Sequence, residues 1–419
     1  MGTIDRIAGR PAAEIIGAAF RREYGRVFAS LVAYLGDFEL AEDALQEAFA
    51  TALSRWSDKG IPERPGAWLT TVARNVAVDW VRHSAMAARK STELKHLEEL
   101  ERPDPRRIDD FPDDRLRLIF TCCHPSLSES AQVALTLRSL CGLTTADIAR
   151  LFLVPESTVA QRLVRAKRKI RVAKIPYQVP DPDALPERLA TVLEVVYLLF
   201  TEGYAATSGH RMVRRPLTDE AIRLARLLHQ LMPSNPEIMG LLALMLLHDS
   251  RRDARVNARG ELIALAEQDR TMWDDAAISE GTALLDRALE RRLPGPYQIQ
   301  AAIAALHAQA RRAAQTDWSQ IAQLYTRLME LQPSPVVALN RAVAIGMSSG
   351  PERGLEELDL LADEGALQNY HRLHAARGEL LRRAGRAAEA VGALRKAVEL
   401  THNELEVRAL QKRIAETDV

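Results

Sequence analysis

The sequence predicts an all-α protein made of several helical domains. Alanine, leucine, arginine and glutamate dominate, and aromatic residues make up only 5% of the chain, a composition that favours helix over strand. Apolar residues recur at three- and four-residue spacings, and no segment alternates apolar and polar as a half-buried strand does. Two proline-rich stretches, "RPDPRRIDDFP" (102–112) and "KIPYQVPDPDALP" (174–186), interrupt this pattern, because proline ends helices and restricts the residue before it. At 419 residues the chain exceeds one ordinary core, so two or three domains are expected.

The breaks set the boundaries. Between Glu93 and Asp114 there are nine acidic residues against four basic ones, a composition that buries little apolar area and suits a linker. The second break has four prolines in thirteen residues. The expected organisation is a helical domain at 14–90, an acidic linker at 91–112, a second helical domain at 113–173, a proline-rich linker at 174–186 and a helical extension at 187–419.

Each helical part shows an apolar stripe. In "AEDALQEAFATALSRW" (41–56) it comprises Leu45, Phe49, Ala52 and Trp56; in "AWLTTVARNVAVDWVRH" (67–83), Leu69, Val72, Val76 and Trp80. The stretch "LTTADIARLFLVPESTVAQRLVRAKRKIR" (143–171) reads as a helix pair. Thr144 or Thr145 caps a first helix whose Ile148, Leu151 and Phe152 face inward. Pro155 suits the start of a second helix, where an N–H is not needed. There Val159, Leu163, Ala166 and Ile170 form the stripe. A separate face carries Thr158, Arg162, Arg165 and Lys169, flanked by Ser157 and Gln161.

The extension holds a weak internal repeat. "ALNRAVAIGMSSGPERGLEELDLL" (338–361) and "HAARGELLRRAGRAAEAVGALRKAVEL" (374–400) each read as two short helices around a glycine, with Gly350 and Gly385 35 residues apart. "TDWSQIAQLYTRLMEL" (316–331) lies about one such step upstream. That period suits tetratricopeptide helix pairs; an irregular helical bundle is the alternative.

Charge is balanced overall and polarised locally. The chain has 56 basic and 56 acidic residues, yet seven cations occur from Arg162 to Lys174 with no acid between them. Solvated faces normally mix the signs. One packing side and one cationic, hydrogen-bonding side are what a recognition helix needs, with Arg and Gln reaching base edges while Lys and Arg neutralise phosphates. The helix at 41–56 is biased the other way, with Asp37, Glu39, Glu42, Asp43 and Glu47 preceding the first basic residue, Arg55. Early acids favour the helix dipole, but Asp43, Gln46 and Glu47 also share one outward face able to dock a basic protein surface. On the next helix Thr71, Arg74, Asn75, Val78 and Arg82 lie off the stripe near Trp68 and Trp80, a combination suited to unstacked bases, although a tryptophan on a short helix is more often core.

Taken together these motifs resemble the bacterial RNA polymerase sigma factors of the extracytoplasmic-function (ECF) type. "AEDALQEAF" resembles the family's core-polymerase-binding region 2.2, and "RPGAWLTTVARNVAVDWVRH" its regions 2.3 and 2.4, which melt and read the −10 element. "LTTADIARLFLVPESTVAQRLVRAKRKIR" is similar to region 4.2, which reads the −35 element. The resemblance implies contacts from Asp43, Gln46 and Glu47 to the basic clamp helices of the largest polymerase subunit. It places Arg74, Asn75 and Arg82 near the −10 strand, and Ser157, Thr158, Gln161, Arg162, Arg165 and Lys169 in the −35 major groove. "YLLFTEGYAATSGH" (197–210), "EQDRTMWD" (267–274), "GPYQIQAAIAALHA" (295–308) and "PSPVVALNRAVA" (333–344) resemble the subgroup with a long tetratricopeptide-like extension. The subgroup's usual "DADG" is replaced here by "NARG", with Asn257 and Arg259. The implied partners are core RNA polymerase, promoter DNA and a regulatory protein for the extension.

Other chemistry finds little support. Cys122, Cys123 and His124 form no metal-ligand spacing; buried packing explains the thiols, with a redox switch as the alternative. His371 and His374 lack a third ligand nearby. No phosphate-cradling glycine loop or nucleophile elbow occurs, so a non-enzyme without metal or cofactor is expected. No run is apolar enough to span a membrane, no signal peptide is evident, and three cysteines suit a reducing cytoplasm. The rival reading is a stand-alone helix-turn-helix regulator with a tetratricopeptide-like sensor. A free-standing regulator draws its affinity from its own charges, whereas zero net charge suits a polymerase subunit.

Overall fold

A computed structural model describes residues 12–89, 112–152, 154–204, 215–257, 261–363, 365, 367–401 and 403–418. The described residues are all-α apart from one isolated bridge, Val256 with Leu262. The chain divides into two compact units, 1–195 and 196–419.

The first unit begins with a three-helix group, α1 (Ala12–Leu35), α2 (Phe38–Lys59) and α3 (Pro65–Arg89), in which each helix packs on the other two. Asp37 caps α2 by accepting from the backbone N–H of Glu39 and Leu40 at 2.7 and 3.1 Å, satisfying donors that a helix start leaves orphaned. The predicted stripe of α2 is fully inside: Leu45, Phe49, Ala52 and Trp56 are all buried. That of α3 is shifted. Leu69, Ala73 and Ala77 are buried, while Val72, Val76 and Trp80 are half-buried, because α3 packs on both α1 and α2 and alanines let helices approach closely.

Four helices follow: α4 (Pro112–Cys122), α5 (Glu129–Ser139), α6 (Thr145–Phe152) and α7 (Glu156–Val172). At the start of α6, Thr144 Oγ1 accepts from the N–H of Asp147 while the Asp147 carboxylate accepts the Thr144 N–H and hydroxyl, a reciprocal cap. Pro155 stands at the N-cap of α7 rather than inside its first turn. All four predicted packing residues, Val159, Leu163, Ala166 and Ile170, are buried. The two helical groups are packed together: α1 lies against α4 and α5, and the Tyr177 hydroxyl donates toward the carbonyls of Ala29 and Asp114 at 2.8 and 3.0 Å. A side chain at Gly25 on α1 would collide with the backbone carbonyl of Leu140.

In the second unit the central helix is α10 (Pro236–Asp249), preceded by α8 (Leu185–Tyr204), which crosses the division, and α9 (Arg215–Leu231). Ile238 to Leu247 are buried without interruption, as a helix enclosed on every side requires; α9, α11 (Asp275–Leu289) and α12 (Pro296–Gln309) enclose it. Then come α13 (Trp318–Leu331), α14 (Pro335–Ser349), α15 (Pro351–Asp363), α16 (His371–Arg383), α17 (Ala387–Leu400) and α18 (Glu404–Thr417), each packed on the next. The two predicted glycine turns join α14 to α15 and α16 to α17, with Gly350 at φ +106° and Gly385 at φ +75°. The helices of the first pair meet at Gly346 and Gly354, where an added Cβ on Gly354 would stand 2.7 Å from the Gly346 Cα.

Truncating the α7 stripe is expected to be costly and its outer face neutral. Leu163→Ala should lose about 2–5 kcal/mol of stability, and Gln161→Ala less than about 0.5 kcal/mol, measured by urea denaturation followed by helical circular dichroism.

Candidate nucleic-acid interface

On α7 the packing and cationic sides are separate. Ser157, Thr158, Gln161, Arg165 and Lys169 are exposed and Arg162 is half-buried. Arg162, Arg165 and Lys169 form no ion pair among the described residues. The sequence reading missed Arg168, which is exposed; seven residues after Gln161 and three after Arg165, it returns to the same face. That spacing was available in the sequence, but a contiguous basic run hides which of its members point where.

Two other cations of the run turn away from this face, toward α2. Lys167 Nζ lies 2.5 Å from Glu42 Oε2, and Arg138 of α5 pairs with the other oxygen of the same carboxylate. All three side chains are largely shielded, with 11% of Glu42, 13% of Lys167 and 17% of Arg138 exposed. Arg171 reaches Glu39 at 2.6 Å and Asp37 at 3.7 Å, in the open. The acidic start of α2 is thereby used internally. Burial pushes the Glu42 carboxyl up, but the hydrogen bonds and charges of Lys167 and Arg138 outweigh it and hold the group below its usual value. Three residues of the sequence-predicted acidic face stay outside this contact: Asp43, Gln46 and Glu47 are exposed on α2.

On α3, Asn75 is exposed and Arg74 half-buried, and Trp68 stacks edge-on against Trp56 at 5.3 Å. The side chain of Arg82 lies outside the described residues. Cys122, Cys123 and Cys141 are buried free thiols. Burial raises Cys122 well above its usual range and Cys123 to about 11, so both are protonated and unreactive in this arrangement.

Residues 19–85 match the Sigma-70 region 2 family and residues 117–170 the Sigma-70 region 4 family. Over 138 residues, 32% of this chain, the protein is 30% identical to the ECF RNA polymerase sigma factor SigC of Mycobacterium tuberculosis (strain CDC 1551 / Oshkosh), spanning 71% of it. The chain belongs to the ECF sigma factors. The probable RNA polymerase sigma-C factor of Mycobacterium bovis aligns over the same extent. An uncharacterized protein of Rhizobium meliloti (strain 1021) is 45% identical over 389 residues, 92% of each chain. Residues 188–289 match a family of unknown function (DUF6596). This sigma factor therefore directs promoter recognition, and its families bind core RNA polymerase and promoter DNA as non-catalytic proteins. No described helix is long and apolar enough to cross a membrane.

In the sigma factor the Glu42 contact joins region 2 to region 4, since Glu42 lies in the first match and Arg138 and Lys167 in the second. Removing one member of a shielded pair strands its partners, at a cost of about 3–5 kcal/mol. Because the Glu42 carboxyl is held low, its contribution is complete above the usual value of 4.5 and lost as pH falls through the lowered one. Glu42→Gln at neutral pH, and acidification of the natural protein below that value, are both expected to loosen the two regions. Small-angle scattering should show a larger radius of gyration in each case.

Proposed function

We propose that Asp43, Gln46 and Glu47 dock core RNA polymerase, that Arg74, Asn75 and Arg82 lie along the −10 strand, and that Ser157, Thr158, Gln161, Arg162, Arg165 and Lys169, joined by Arg168, read the −35 groove. The observation that carries this reading is the segregation of charge on α7. Four residues pack, Lys167 and Arg171 hold the acidic start of α2, and Arg165, Arg168 and Lys169 stay exposed, with Arg162 half-buried, all four without an ion pair among the described residues. The proposed domain limits are those given by the proline breaks, with 187–419 as a regulatory extension that a partner protein engages.

The packed form of regions 2 and 4 is, in this reading, the form that precedes polymerase. Elements centred at −10 and −35 are 25 base pairs apart, or about 85 Å at about 3.4 Å per pair. A compact unit of 195 residues has a radius of gyration of about 16 Å and is roughly 40 Å across. One closed unit does not touch both elements. The 22 residues between α3 and α4 reach at most about 80 Å when extended, enough for the regions to separate. A basic polymerase surface that takes over the carboxylates Asp37, Glu39 and Glu42 from Lys167 and Arg171 would couple docking to opening.

Reconstitution tests the reading. With purified core polymerase and a library of genomic promoters, specific initiation is expected only when both proteins are present. Specific duplex binding by this protein alone would instead support the stand-alone regulator. Asp43→Lys with Glu47→Lys is expected to abolish co-elution with core polymerase, and normal co-elution would refute that surface. Arg165→Ala should cost about 1–3 kcal/mol of discrimination at one −35 position, read as altered promoter preference with polymerase binding unchanged. Deleting 187–419 should change transcription, raised output marking the extension as inhibitory and lost output marking it as required.

A further inference from the structure

Three stretches of the extension that promoter recognition does not use come together in the second unit. Tyr204 comes from "YLLFTEGY", Arg270 and Trp273 from "EQDRTMWD", and His307 from the end of "GPYQIQAAIAALHA". They meet Arg251 and Arg255, which follow α10. The Arg255 guanidinium carbon lies 3.7 Å from the centroid of the Tyr204 ring, and that of Arg251 5.6 Å from the same ring. The Arg270 guanidinium covers Trp273 at 4.8 Å and donates to the carbonyls of His307 and Ala310.

The cluster lacks counter-charge. No carboxylate pairs with Arg251, Arg255 or Arg270 among the described residues. The nearby Asp249 is committed to Arg252, accepting from its Nε and Nη2 at 2.7 and 2.6 Å. Arg255 is only 7% exposed, and among the described residues its side chain donates one hydrogen bond, to the Tyr204 carbonyl. The two imidazoles beside the cluster supply no negative charge either. Burial, then the neighbouring arginines, hold His248 down at about 3 and His307 at about 4. Two donors are also unspent, for the Tyr204 hydroxyl and the Trp273 indole N–H are buried without a partner among the described residues, in residues 8% and 5% exposed. Shielded like charges and orphaned donors are each costly, and an oxyanion is the ligand whose chemistry answers both kinds of group.

We propose that Arg251, Arg255 and Arg270, with the Tyr204 hydroxyl and the Trp273 indole, form a binding site for a phosphate group in the extension. Several guanidiniums without a carboxylate favour a dianion, and planar guanidinium forks match tetrahedral oxyanions. Arg251 and Arg270 are half-buried, so the group is reachable from solvent. The proposal is independent of the promoter reading.

Equilibrium dialysis of the full chain against labelled inorganic phosphate tests it, in chloride buffer of constant ionic strength. One saturable equivalent is expected, displaced by sulfate and not by acetate. Arg251→Gln and Tyr204→Phe should each weaken binding tenfold or more with the helical circular dichroism unchanged. Arg395→Gln, on the outer surface of α17, should leave it intact. Tyr204→Phe removes a hydroxyl that has no partner among the described residues, so a failure of Arg251→Gln to fold still leaves a decisive variant. Glycerol phosphate in parallel separates the sources: tighter binding of the ester points to a phosphorylated small molecule, and tighter binding of the ion to phosphate itself. Non-saturable uptake, an unchanged affinity in Tyr204→Phe, or preference for acetate would overturn the proposal.

Discussion

The arrangement of the first unit depends on one carboxylate. Glu42 sits in the first half of α2, largely out of water, and answers two cations from the other helical group. A charge so placed is tolerable only with partners, so Glu42, Arg138 and Lys167 constrain one another across regions distant in sequence. Gly25 against Leu140 and Tyr177 across Ala29 and Asp114 pack the same two helical groups closely at other points. A salt bridge between fully exposed groups would be too weak to hold two regions in register, which is why the open Arg171 contacts follow the Glu42 contact rather than lead it.

This constraint explains how a chain of zero net charge carries a strongly basic helix. Part of the positive charge of α7 is answered within the protein by the acidic start of α2, and part is left outward. A regulator that binds DNA unaided would gain from presenting all of it, since phosphate contacts dominate affinity. A subunit that works within a larger enzyme gains from holding some of it back.

The extension is governed by other forces. Its early part surrounds α10, an apolar helix that needs enclosure on every side, and its later part is a succession of helices, each packed on the next, two of whose connections are tight turns at Gly350 and Gly385. Into this apolar framework the segments that follow α10 bring Arg251, Arg255 and Arg270, which form no ion pair with a described carboxylate. A core assembled only for stability would not gather them there.

Much of the architecture was legible from residue order alone. The stripes of α2 and α7, a threonine cap at 144 or 145, the paired helices around Gly350 and Gly385 and the exposed faces bearing Asp43 and Arg165 all follow from periodicity and capping, which act within a few residues. Where the sequence reading slipped, the neighbours were remote. Val72, Val76 and Trp80 yield the buried side of α3 to Ala73 and Ala77 because α1 and α2 both press on that helix. Arg168 faces outward while Lys167 and Arg171 turn toward α2, and their partners Glu42, Glu39 and Asp37 lie more than a hundred residues away along the chain. By itself the sequence determined the helices, their order and their sigma-family character, since those are written in local spacing. Only the tertiary structure decided which charges meet and which stay free, because electrostatic partnership depends on distance in space and on exclusion of water, and neither is encoded in the spacing of one segment.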